Sequence, residues 1–99
     1  MYVEIINKDL LKLYETGKSN KYRLPSQIVD KYIMRVAQIH AATSIRDLTR
    51  RPINFEKYKK HYSVRLDNKF RLELNVEWTN EEKTIGSFFI FELNNHYGD

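Results

Sequence analysis

Phe55-Glu56-Lys57-Tyr58-Lys59-Lys60-His61-Tyr62-Ser63-Val64-Arg65-Leu66-Asp67-Asn68-Lys69-Phe70-Arg71 is the stretch on which the reading of this chain turns. Its first part, Phe55 to His61, reads as a basic, aromatic loop. Its second part reads as the start of a β-hairpin. Tyr62, Val64 and Leu66 alternate with Ser63, Arg65 and Asp67, and Asp67-Asn68 can turn the chain. Beyond the turn, Phe70, Leu72, Leu74, Val76 and Trp78 alternate with Arg71, Glu73, Asn75 and Glu77. Period-two alternation sends the two sets to opposite faces of a sheet. Arg65 and Arg71 then share the polar face, with a lysine-rich segment leading into it. Such an arrangement suits a polyanion whose phosphates meet Lys and Arg and whose bases stack on Tyr and Phe.

Composition narrows the field around that hairpin. The 99 residues are 41% hydrophobic and 13% aromatic, enough for one folded domain over 1–99. Cysteine is absent, which removes disulfides, thiol nucleophiles and cysteine zinc sites. Glu4, Lys8 and Asp9 interrupt the N-terminal apolar residues, and no apolar run reaches the roughly 18 residues of a membrane span. A soluble, cytoplasmic chain without membrane contact is the expectation. The net charge of +4 is unevenly spread: from Arg46 to Arg71, nine Lys or Arg stand against three Asp or Glu.

In chain order, Met1 to Ile6 reads as a short strand. Asn7 is placed to cap a helix that runs to about Thr16, and Gly17 to stop it. Pro25 and Ser26 open a second helix ending near Ala42-Thr43. Ile28, Val29, Tyr32, Ile33, Val36 and Ile39 form its buried stripe, with Lys31, Arg35 and Gln38 on the other side. Ser44 caps one more turn, which Arg50, Arg51 and Pro52 end. Ile85 to Leu93 reads as a last strand. Its apolar residues fall on both parities, as in a central strand buried on both sides. The expected fold is α+β, ordered β-α-α-β-β-β, with two N-terminal helices on a small antiparallel sheet.

Several residues resemble the HigB-type toxins of the RelE/ParE superfamily, the toxin halves of type II toxin–antitoxin modules. They are Leu13-Tyr14-Glu15-Thr16-Gly17, Leu24-Pro25 opening a helix with Val29, Ile33 and Ile39, and Ala41 to Leu48 at a helix end. The strongest piece is Tyr62 to Leu72, similar to that group's Tyr/Trp-Ser-Ile/Val-Arg hairpin with its following Arg-Ile/Leu. The resemblance implies a RelE-like fold and a ribosome-dependent mRNA endonuclease needing neither metal nor cofactor. In such an enzyme the ribose 2′-OH attacks the adjacent phosphate. The implied partners are messenger and ribosomal RNA and a HigA-type helix-turn-helix antitoxin, through which alone operator DNA would be bound. The chain departs from the group in two places. Its lysine loop has no glycine. Either it is shortened, with Lys59 in the lysine role, or it aligns without a gap, placing Pro52 and Phe55 at the group's histidine and lysine positions. Lys57 is within reach of both alignments. The group's terminal Asp-Tyr-His appears here as Asn95-His96-Tyr97, with the two chemistries reversed.

With the resemblance, the catalytic candidates are Arg71 on the phosphate, His96 and Tyr97 for proton transfer, and Lys59 and Lys57 as base or electrostatic aid. Arg65, Lys60, His61, Arg50 and Arg51 are the RNA-binding candidates. The plain alternatives are a solvated strand arginine paired with Glu73 or Glu77, a solvent-facing tail and a solvated lysine run. His40 reads as structural. The three histidines lack the short spacing of a metal site. A ParE-type gyrase inhibitor without RNA chemistry, or a non-enzymatic RNA-binding module, are the competing functions.

Overall fold

The computed structural model of the chain describes residues 1–95. It is an α+β fold of two helices and a five-stranded mixed sheet. The elements are β1 (Val3–Ile5), α1 (Lys8–Thr16), α2 (Ser26–Ala41), a 3-10 turn (Ile45–Asp47), β2 (Glu56–Tyr58), β3 (His61–Arg65), β4 (Phe70–Trp78) and β5 (Gly86–Asn95). The strands lie side by side in the order β1-β5-β4-β3-β2.

Local chemistry accounts for the helix boundaries. The Asn7 side-chain oxygen accepts from the amides of Asp9 and Leu10, satisfying two of the donors that a helix start leaves open. Gly17 ends α1 in the left-handed region at φ 77°, its amide donating to the Leu13 carbonyl. Ser44 caps the 3-10 turn through the Arg46 amide. The hairpin turn is held by Asp67, whose Oδ1 accepts from the amides of Lys69 and Phe70, both at 2.8 Å.

Both helices pack on one face of the sheet. Leu10, Leu13, Ile28, Tyr32, Val36 and Ile39 meet Val64, Leu72, Leu74, Phe88, Ile90 and Leu93 in a single buried cluster. Each such side chain contributes on the order of 1.5–3 kcal/mol by leaving water. The Tyr32 hydroxyl donates to the Leu10 carbonyl at 2.7 Å and ties α2 to α1.

Four expectations are corrected. The sheet is mixed, because β1 pairs in parallel with β5, Val3 opposite Phe88. Glu56 to Tyr58, read as loop, form a short edge strand antiparallel to β3. In β5 the apolar residues fall on both parities largely because of a β-bulge. The register steps from Glu73↔Glu92 to Leu74↔Ile90, so one extra residue lets Ile90 and Leu93 both reach the core. Phe89 and Phe91 on the opposite side are only half-buried. Finally, Arg35 does not face solvent: it is 3% exposed. Its Nε donates to the Arg65 carbonyl at 2.8 Å and its Nη2 to the Leu66 carbonyl at 3.3 Å, while Nη1 meets Gln38 Oε1 at 2.6 Å. A guanidinium with donors on several sides satisfies backbone acceptors at the end of β3, where the ladder gives out. Burial holds its pKa below the ordinary arginine value.

Candidate functional site

Strand register assembles the site. Tyr58 is opposite His61 across β2 and β3, Ser63 opposite Glu73 and Arg65 opposite Arg71 across β3 and β4, and Asn94 opposite Arg71 across β4 and β5. These residues alternate with the core residues Val64, Leu72 and Leu74. They therefore lie on the face turned away from the helices.

Tyr58 is the hub of this face. The Arg71 guanidinium carbon sits 3.7 Å from the centre of the Tyr58 ring, and Arg71 Nη2 donates to the Tyr58 hydroxyl. Lys59 Nζ is 5.1 Å from the same ring centre. Lys59 occupies the tight β2–β3 turn at φ 55°, and that turn brings its side chain back over its neighbour. Ring quadrupole attraction draws both cations toward the tyrosine. The His61 ring packs edge-on against Tyr58 at 5.3 Å and against Phe91 at 5.0 Å.

His61 Nε2 lies 2.7 Å from Glu73 Oε1. A carboxylate at this distance orients the imidazole, with Nε2 turned to Glu73 and Nδ1 turned away from it. Glu73 is 7% exposed and stands directly opposite Glu92, a costly pairing of like charges in a sheet. Separate partners relieve it. Glu73 takes His61, whereas Glu92 accepts from the Tyr22 hydroxyl and the Leu93 amide. Burial, and then the hydrogen bond to Glu92, push the Tyr22 phenol well above its ordinary pKa and keep it a donor. One rung along the sheet, Arg65 and Arg71 are also like charges directly opposed.

Of the residues expected from the sequence, the fold brings Arg71, Lys59 and His61 together, with Arg65 on the next strand. Lys57 is one residue out of phase: it pairs with Tyr62 and so belongs to the face opposite Arg71. Lys60 is exposed in the β2–β3 turn. Arg50 and Arg51 are exposed before β2, and Arg51 lines a groove that Arg65 also lines. His40 is exposed at the end of α2. His96 and Tyr97 lie outside the described residues. Sequence reasoning missed Tyr58, Glu73 and Phe91 as parts of the site. Tyr58 carried a signal, being an aromatic set among lysines; Glu73 carried one in its shared parity with Arg71.

Among the described residues, no three His, Asp or Glu side chains gather into a group that could hold a metal ion. No helix there is long and apolar enough to cross a membrane. Comparison with family models and with curated proteins finds no match to this chain.

Proposed function

We propose that this chain is a toxin of the HigB type with a RelE-like fold, an endoribonuclease that cuts messenger RNA on the ribosome and so arrests translation. One observation carries the reading. A stacked arginine, a lysine and a histidine–carboxylate couple share one patch of the sheet face that the helices leave open. Cleavage by the ribose 2′-OH needs these chemical types. His61, with Glu73 behind it, accepts the 2′-OH proton at Nδ1 as the oxygen attacks phosphorus. Arg71 and Lys59 offset the charge gathering on the phosphate oxygens. The 5′ oxygen departs with a proton, leaving a 2′,3′-cyclic phosphate and a 5′-hydroxyl. His96 and Tyr97 are the candidate donors of that proton.

The element order supports the same reading, with β2 added before the hairpin. A HigA-type antitoxin would neutralise the chain and carry any contact with operator DNA. The test is induced expression of the wild-type chain and of Arg71→Ala, with messenger 5′ ends mapped after induction. Growth arrest with new 5′-hydroxyl ends at translated codons, lost in Arg71→Ala, is expected. Arrest without new ends would refute the nuclease and point to a ParE-type action on gyrase. Absence of arrest from soluble protein would leave an RNA-binding module.

A further inference from the structure

An open groove of about 910 Å³ lies between the start of α2 and the β3–β4 turn, with Arg65 in its lining. Lys31, Arg51 and Arg65 line it, and among the described residues no carboxylate pairs with any of these three side chains. Asp67 is the acid present, and its Oδ1 is already taken by two backbone amides. The first turn of α2 opens onto the same space and has no side-chain cap, so its positive end adds to the field. The lining is not purely cationic. Pro52 and Phe70 give it apolar surface. Asn54, held at φ 50°, has a buried side-chain oxygen with no hydrogen-bond donor in reach.

We propose that this groove binds a stretch of single-stranded RNA, continuous with the Arg71 patch through Arg65. The proposal rests on the nuclease reading for the identity of the strand, although the groove's own chemistry points the same way. Unpaired cations on a rim match backbone phosphates. Apolar and aromatic surface between them matches the faces of unstacked bases. A duplex presents phosphates and sugars but keeps its base faces inside, so it leaves Pro52 and Phe70 unused. The strand thus leaves the scissile phosphate at Arg71 and passes over Arg65 into the groove.

The experiment measures binding of a fluorescent 12-nucleotide RNA, 2′-O-methylated throughout so that it cannot be cut, across a salt series. The proteins are the full wild-type chain, Lys31→Ala/Arg51→Ala, and Lys8→Ala/Lys12→Ala on α1 as a charge-matched control. In the groove variant the slope of log affinity against log salt should become shallower by about 0.7 for each lost contact, while the control keeps the wild-type slope. Equal slopes in all three proteins, or an equal loss in the control, would overturn the groove. Duplex RNA binding as tightly as the single strand would overturn the single-strand assignment. Cutting of unmodified messenger is scored separately. RNA binding that depends on the groove without any cutting retains the groove and removes the nuclease; cutting that groove variants perform as the wild type does removes the groove alone.

Discussion

The two faces of the sheet treat charge in opposite ways. On the helix-covered face, Arg35 is almost wholly buried and is consumed by the protein's own acceptors, two of them carbonyls at the end of β3. On the open face, Arg71 and Lys59 lean on a tyrosine ring, and His61 leans on a carboxylate. The first kind of charge holds the hairpin in place. The second is ordered by the protein and still turned toward one side of it. Both depend on the same strand, since β3 gives its carbonyls to Arg35 and its side chains to the site. A guanidinium is therefore no guide to function until its acceptors are known.

That contrast can be broken by substitution. Arg71→Ala should slow messenger cutting by on the order of 10²- to 10³-fold, with little change in the urea midpoint. A lowered urea midpoint in Arg71→Ala with wild-type cutting would reverse the roles of the two faces. Arg35→Met should do the opposite. It keeps apolar volume but strips the donors from two carbonyls at the end of β3, at a cost of about 3 kcal/mol in chemical denaturation. Glu73→Gln tests the couple: a hydrogen bond to a charged group is worth about 1.5 kcal/mol, so cutting should fall about tenfold. A fully active Glu73→Gln would reduce Glu73 to a packing residue.

The smallest effect belongs again to the covered face. Tyr32→Phe removes the bond to the Leu10 carbonyl and should cost about 1 kcal/mol at neutral pH. Burial raises the Tyr32 phenol above its ordinary pKa. Its stabilising share is thus full below the usual tyrosine value of about 10 and is lost as pH climbs beyond it. Urea midpoints at pH 7 and pH 11 should accordingly draw together in Tyr32→Phe relative to wild type.

How much of this the sequence disclosed depends on how local each feature is. Asn7, Gly17, Ser44 and the Asp67-Asn68 turn act within a few residues of themselves, and their caps and turns were legible. So was the shared face of Arg65 and Arg71, which needs one hairpin register. The parallel pairing of β1 with β5 was not, because it joins the two ends of the chain. Nor was β2, three residues of strand hidden in a lysine run, whose pairing depends on the turn at Lys59. Without β2, Tyr58 could not be seen to reach Arg71. The helical pattern placed Arg35 among polar neighbours, and no local rule says that carbonyls at the end of β3 await it. His61 and Glu73 meet across two strands, so their couple too was invisible to spacing along the chain.

The pairing of Val3 with Phe88 also sets an order of events in folding. Val3 and Phe88 are far apart in sequence, and such non-local contacts form slowly. As the chain is synthesised, β1 emerges first and has no sheet partner until β5 follows. Phe91 and Glu92, which complete the surroundings of His61 and Glu73, arrive with that same last strand. The helices and the β3–β4 hairpin can gather earlier, from contacts close in sequence. Tyr58, His61, Glu73 and Phe91 thus share one face only after β5 has docked, so the patch is among the late products of folding and not a feature of the hairpin alone.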